Sequence, residues 1–157
     1  METIDDLPKE KLRELYRLSL DIFVTTLESL EEVIGKKAPL GIVRLSSKKL
    51  GDHLEATLRE KIDGKWTFKK FVEALVVYLN EIGLRGELVK ASADEIIIRK
   101  HICPLGEAGK RYPNVCVYRV GALAEAAGKA LNKAVELQHV KNIIKGDRYC
   151  EFVLRLR

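Results

Sequence analysis

The fold class is decided between residues 84 and 99, which read LRGELVKASADEIIIR. Two short segments rich in β-branched residues flank the turn formers Ser92 and Asp94, a pattern typical of a β-hairpin. We place its strands at residues 87–90 and 95–99. The hydrophobic period shortens here from about 3.6 residues to about 2. The sequence therefore predicts helices before residue 84 and an antiparallel sheet after it.

A long amphipathic helix is predicted over residues 8–34, with Pro8 just inside its start and Gly35 at its end. Its apolar positions follow the helical period. They are Leu12, Leu15, Leu18, Ile22, Phe23, Leu27, Leu30 and Ile34. Leu20 and Val24 lie off this face, which suggests that the helix is buried against two surfaces.

Further elements follow from the same signals. A second helix is predicted from Pro39 to about Ile62, and a third is capped by Thr67 and closed by Gly83. Residues 113–128 predict a fourth helix, and residues 134–140 and 149–156 alternate as a second hairpin. The order ααα-ββ-α-ββ favours one α+β domain over residues 1–157, with the antiparallel sheet packed against the helices.

Composition limits the class of protein. The 157 residues are 46% hydrophobic and 32% charged, which is the balance of a folded chain, and no run approaches 18 apolar residues. The N-terminal METIDD lacks the basic and apolar regions of a secretory signal. We therefore expect a cytoplasmic protein with no membrane segment. In that compartment the three cysteines are expected to be thiols or metal ligands rather than disulfides.

The basic charge is confined to one part of the chain. The formal net charge is +5, and residues 99–157 contain 12 Lys and Arg against 5 Asp and Glu. A nucleic-acid-binding surface would require clustered basic residues interleaved with aromatic residues. The basic residues here are dispersed, and no aromatic residues are interleaved with them. We expect a solvated basic face and no nucleic-acid partner.

Five residues in the last third of the chain are candidate metal ligands. His101 and Cys103 follow a strand, Cys116 lies in the first turn of the fourth helix, where the helix dipole favours a thiolate, and His139 and Cys150 lie on the inward faces of the last two strands. Three thiolates and one imidazole would complete a closed, structural zinc site. The alternative is three buried cysteines that act as small hydrophobic residues.

The cysteine pattern resembles a known family. Cys103-Pro104, then Cys116 and Gly128, then Gly146-Asp147-Arg148-Tyr149-Cys150-Glu151-Phe152 are similar to the 4-vinyl reductase domain, especially its compact archaeal stand-alone forms. The resemblance is best over residues 99–157. It implies a fold similar to the small subunits of the Golgi transport particle TRAPP and, more distantly, to the haem nitric-oxide sensor domain.

The resemblance also implies a zinc site. Cys116 and Cys150 fall on two of the family's ligand cysteines, His139 falls on its ligand glutamate, and Asn142 falls on a third cysteine, which it cannot replace as a thiolate. Cys103 would supply the missing ligand. The predicted zinc ligands are therefore Cys103, Cys116, His139 and Cys150, with His101 as the alternative imidazole.

The function implied is non-enzymatic. We expect a zinc-containing domain that binds a small hydrophobic molecule between helices and sheet, with a sensory or regulatory role exerted through a protein partner or a homodimer of N-terminal helices. The alternative is a TRAPP-like scaffold or acyl-carrying subunit. A reductase, which the family name suggests, has the least support, because the sequence contains no nicotinamide or flavin motif and no acid/base pair.

Overall fold

The computed structural model describes residues 7–157, so the segment 1–6, from which we expected no secretory signal, lies outside it. The chain folds as an α+β protein. Its helices are α1 (Lys9–Ile34), α2 (Lys37–Arg59), α3 (Phe68–Glu81), α4 (Gly106–Arg111) and α5 (Pro113–Leu131). Its strands are β1 (Gly86–Ala91), β2 (Glu95–Lys100), β3 (Val135–Lys141) and β4 (Cys150–Leu156). A short 3-10 turn, Ile143–Lys145, lies between β3 and β4.

The four strands form one antiparallel sheet in the order β1-β2-β4-β3. Phe152 on β4 is paired with Ile98 on β2 and with His139 on β3. Because side chains alternate along a strand, the inner face carries the residues that alternation predicted. These are Val135, Leu137 and His139 on β3, and Cys150, Phe152 and Leu154 on β4.

The opposite face of the sheet is bound together by ion pairs. Arg99 on β2 lies 2.8 Å from Glu151 on β4, and Arg155 on β4 lies 2.7 Å from Glu95 on β2. Both arginines of these two strands are thus paired with neighbouring carboxylates on this face.

Helices α3 and α5 pack on the sheet, and α2 packs on α5. A Cβ on Gly51 of α2 would lie 3.1 Å from the backbone oxygen of Ala122 on α5, so a residue without a side chain lets the two helices approach closely. Helix α3 begins as predicted, because the Thr67 hydroxyl accepts a hydrogen bond from the Lys70 amide at 3.2 Å. Its Phe71 and Leu75 are fully buried.

Helix α1 is turned differently from our expectation. Leu20 and Val24, which we placed off the main apolar face, are 4% and 0% exposed, whereas Leu18 and Ile22 are 57% and 60% exposed. The buried stripe of α1 is therefore Leu20, Val24 and Leu27. The reason is that α1 contacts only one edge of the helical layer, mainly α2 and α4, and can bury only one of its two stripes.

Other boundaries also moved. Helix α2 begins at Lys37 and ends at Arg59, rather than running from Pro39 to Ile62, and α5 continues past Gly128 to Leu131. The short helix α4 is absent from the predicted order. Within residues 7–157, no helix has the length and apolar character needed to cross a membrane.

Candidate functional site

An apolar cavity lies between the helices and the inner face of the sheet. It measures about 90 Å³. Its walls come from α2, α3, α5, β2, β4 and the loop after β2, with one residue from α1. The apolar lining includes Leu50, Leu54, Leu75, Leu79, Ile98, Val120, Leu123 and Phe152. The cavity therefore lies where the sequence placed a pocket, but α1 contributes only Tyr16 rather than a stripe.

The volume limits the size of any ligand. A cavity of about 150 Å³ accepts benzene, whereas drug-sized ligands occupy pockets of about 300–1,000 Å³. At about 90 Å³ the cavity is smaller than that benzene-binding example, so it holds a short chain as it stands and a single ring only if its walls move apart. A larger group would need the helices to move apart.

All three cysteines line this cavity. Cys116 projects from α5, Cys150 from β4 and Cys103 from the loop after β2. Cys116 and Cys150 are buried, while Cys103 is half-buried. The structure thus brings together the three thiols that the sequence analysis selected.

Burial keeps the two deeper thiols protonated. It raises the pKa of Cys116 to about 11 and also raises the pKa of Cys150, although the nearby Lys100 ammonium acts in the opposite direction. The start of α5 was expected to favour a thiolate at Cys116. Desolvation acts against that expectation, because it is the largest cause of the raised pKa of Cys116.

The two candidate imidazoles lie outside the cavity wall. His139 is on the inner face of β3, stacked on the Phe152 ring with 4.5 Å between centroids, and its Nε2 is buried without a hydrogen-bond partner among residues 7–157. Burial and Lys100 lower its pKa. His101 is exposed, with its Nε2 2.9 Å from Glu87 Oε2. His139 lies on the face of the sheet that also carries Cys150.

Asn142, just after β3, contacts one of the thiols that line the cavity. Its side chain accepts a hydrogen bond from the Ile144 amide and places Nδ2 3.9 Å from Cys116 Sγ. The Ile143 amide donates to Cys150 Sγ at 3.5 Å. The turn after β3 thus directs two N–H groups at two of the thiols.

The three thiols and the two imidazoles have suitable chemistry for zinc, but they do not converge on a common point. In the part of the chain that the structure describes, no three His, Cys, Asp or Glu side chains are arranged to hold a metal ion. Zinc remains a prediction of the sequence, and we base no step of the proposed function on it.

Polar groups that the sequence analysis missed form part of the cavity wall. Arg119 on α5 donates a hydrogen bond to the Tyr16 hydroxyl, and its guanidinium lies 5.3 Å from the centre of that ring. Tyr78 on α3 and Lys100 on β2 complete the set. Burial raises the pKa of Tyr78, and the Tyr16 hydroxyl adds to this effect. In the sequence, a tyrosine within an apolar helical stripe was the only sign that the cavity wall would contain polar groups.

Comparison with solved structures confirms the predicted fold. The phenol-responsive sensory domain of the transcription activator PoxR, solved with phenol, matches with a TM-score of 0.68 at 10% identity, over 87% of this chain and 74% of that one. A trafficking protein particle complex subunit 3 from Naegleria fowleri, covalently bound to palmitic acid, matches with a TM-score of 0.60 at 21% identity, over 89% and 96%.

An H-NOX protein from S. oneidensis in the Fe(II)NO ligation state matches with a TM-score of 0.53 at 12% identity, over 85% of this chain and 73% of that one. No protein-family model and no curated protein sequence matches the chain. The resemblance to the 4-vinyl reductase domain therefore stays a prediction. What the comparisons show is that this chain has the fold that the three solved proteins share.

Proposed function

We propose that the chain is a binding domain for a small hydrophobic molecule, with a sensory or regulatory role. The observation that carries this proposal is the apolar cavity of about 90 Å³ between α2, α3, α5 and the sheet. A packed core normally leaves few voids larger than a water molecule, so an apolar cavity with a few polar groups in its wall supports a site for a small ligand. The phenol-bound sensory domain of PoxR supports the proposal by its similar fold.

Native mass spectrometry of the purified full chain tests the proposal. We expect a small mass increment that is lost on denaturation. Val120→Phe should fill the cavity and abolish the increment, because Val120 lines the wall and is 8% exposed. Val117→Phe is the matched control on the same helix, since Val117 is 64% exposed. An increment retained equally by both variants would place the ligand elsewhere.

A second candidate function is acyl carriage, supported by the thiols in the cavity wall and by the palmitate-bound trafficking subunit of similar fold. An acyl thioester would transfer its acyl group to a cysteine, whose proton leaves with the departing thiol. Cys103 is the favoured acceptor because it is the most exposed of the three. The volume of about 90 Å³ is too small for a long acyl chain, which places this candidate second.

The same mass spectrum separates the two candidates. A mass increment that survives denaturation and disappears in Cys103→Ser indicates acyl carriage. An increment that denaturation removes indicates reversible binding of a free ligand.

A further inference from the structure

We propose that the cavity takes its ligand as an anion and that the ligand is a small hydrophobic carboxylate. This inference rests on the proposed function, since it concerns the ligand of the same cavity. Its basis is the charge of the wall. The lining contains two basic side chains, Lys100 and Arg119, and no Asp or Glu among the described residues.

Neither basic side chain has a carboxylate partner within residues 7–157. The contrast with the neighbouring residue on β2 is direct. Arg99 points to the outer face and lies 2.8 Å from Glu151, whereas Lys100 points inward and lies 5.7 Å from the centre of the Phe152 ring. On the outer face of β2, the basic side chain Arg99 is paired with a carboxylate. On the face toward the cavity, the basic side chain Lys100 has no carboxylate partner among the described residues.

Arg119 is held in place by an aromatic ring rather than by an acid. It lies over the Tyr16 ring and donates to the Tyr16 hydroxyl, and Tyr78 lies in the same wall. A ring face compensates a cation only in part. A half-buried cation in apolar surroundings therefore retains an electrostatic cost that an anion would relieve.

A carboxylate matches these groups in chemistry. Its two oxygens accept the parallel N–H bonds of a guanidinium, and charge-assisted bonds of this kind are about twice as strong as neutral ones. The apolar lining requires the rest of the ligand to be hydrophobic, and the volume limits it to a short chain or, where the walls move apart, a single ring. A neutral phenol would leave both cations unpaired.

Calorimetric titration of the full chain at neutral pH tests the inference with two pairs of probes. Benzoate and benzyl alcohol are the aromatic pair, and pentanoate and 1-pentanol are the aliphatic pair. We expect the acid of at least one pair to bind about tenfold more tightly than its alcohol. The pair that shows this preference tells whether the ligand is aromatic or aliphatic.

Variants assign the preference to the cavity. Arg119→Gln and Lys100→Gln should each weaken acid binding about tenfold while leaving the alcohol within about twofold. Arg44→Gln is the control, because it removes one positive charge at an exposed position on α2. The second cavity variant keeps the test decisive should Arg119→Gln fail to fold.

Three outcomes would overturn the inference, and they are distinguishable. Equal binding of acid and alcohol, or acid binding unchanged in both cavity variants, rejects the anionic ligand but leaves the proposed binding function intact. Absence of binding by all four probes, together with absence of a removable mass increment, rejects the proposed function as well.

Discussion

Cys103 and Cys150 line the same cavity but differ in burial, and this difference predicts their effects on stability. Cys150 is 2% exposed on the central strand β4, while Cys103 is half-buried in a loop. Cys150→Ala should lower the free energy of unfolding by about 2 kcal/mol and more than Cys103→Ala does. Urea denaturation of both variants checks the ranking. Equal or reversed midpoints would contradict it.

Two helical glycines predict opposite effects of the same substitution. A Cβ on Gly109 of α4 would come closer than van der Waals contact to Ile144 Cδ1 and Leu105 Cβ. A Cβ on Gly121 of α5 has no described atom within 4 Å. Gly109→Ala should therefore destabilise the protein by about 1–3 kcal/mol. Gly121→Ala should stabilise it by about 0.5–1 kcal/mol.

Thermal denaturation of the two glycine variants, measured together, provides its own control. A shift of the same sign in both variants would mean that helix propensity, and not the space around each glycine, determines the outcome.

At the residue scale, the sequence predicted the cysteines of the cavity but not its charged groups. The thiols were selectable because period-two alternation fixes the face of Cys150, and because the resemblance assigned Cys116 a role. Arg119 and Lys100 looked like other dispersed basic residues. Their significance comes from the absence of an acid beside them among the described residues, and pairing across elements cannot be derived from local sequence.

At the scale of elements, the contact between β2 and β4 predicts a pH dependence. Glu95 accepts hydrogen bonds from Lys90 and Arg155, which lower the pKa of its carboxyl. Because the pKa is lower in the folded chain, the ionised carboxylate stabilises the fold above the unfolded-state pKa. That stabilisation is lost as pH falls through the lowered value. Glu95→Gln should therefore lower the melting temperature at pH 7.

The difference between Glu95→Gln and the original chain should disappear in strong acid. Glu60→Gln is the control, because Glu60 is exposed at the end of α2. Melting curves from pH 7 down to about pH 2 check this prediction. A difference between the two chains that stays constant over that range would show that the ion pairs contribute nothing measurable.

Helix α1 shows why a helix can be predicted while its orientation is not. Two stripes of α1 have nearly the same spacing, namely Leu20, Val24 and Leu27 and, beside them, Leu15, Leu18 and Ile22. Because their spacing is so similar, periodicity cannot decide which of the two is buried in the core. The choice depends on which helices lie beside α1. Helix α4 escaped prediction because Gly106–Arg111 is too short to show a hydrophobic period.

The exposed stripe of α1 predicts a homodimer. Leu15, Leu18 and Ile22 are 46%, 57% and 60% exposed, and a second copy that pairs the same stripe would cover them in a closed assembly. Light scattering should give twice the 17.8 kDa of one chain. Leu18→Glu combined with Ile22→Glu should give the monomer.

Val117→Glu is the control for the dimer, because Val117 is 64% exposed on α5. A monomeric original chain rejects the dimer. A dimer that persists in the double variant but dissociates in Val117→Glu moves the contact to α5.

At the scale of the whole molecule, the order of the strands and of every helix except α4 was predictable, while the fold alone does not determine the function. One architecture serves a phenol-responsive sensory domain, a palmitate-bound trafficking subunit and an H-NOX protein. A shared fold therefore does not select among their functions. The size and charge of the cavity are the features that distinguish among these functions.

Zinc is the prediction of the sequence that concerns the whole folded chain. The three thiols and His139 predict about one zinc per chain, and because ligands bind metal in the folded state, chelation should lower the melting temperature. Metal analysis of protein purified without chelator checks the content. A zinc-free protein that is fully folded, with thiols slow to react, would refute the prediction.

The strand order has a consequence for folding during synthesis. β4 follows β2 by about fifty residues along the chain, yet it is the strand that lies between β2 and β3. At about 5–20 residues per second, the ribosome needs roughly 3–10 s to make that segment. Throughout this interval one edge of β2, with Ile96, Ile97 and Ile98, has no strand to pair with. In the nascent chain this unpaired edge of β2 is therefore exposed and can pair with chaperones or with other unfinished chains. In the finished protein β4 covers it.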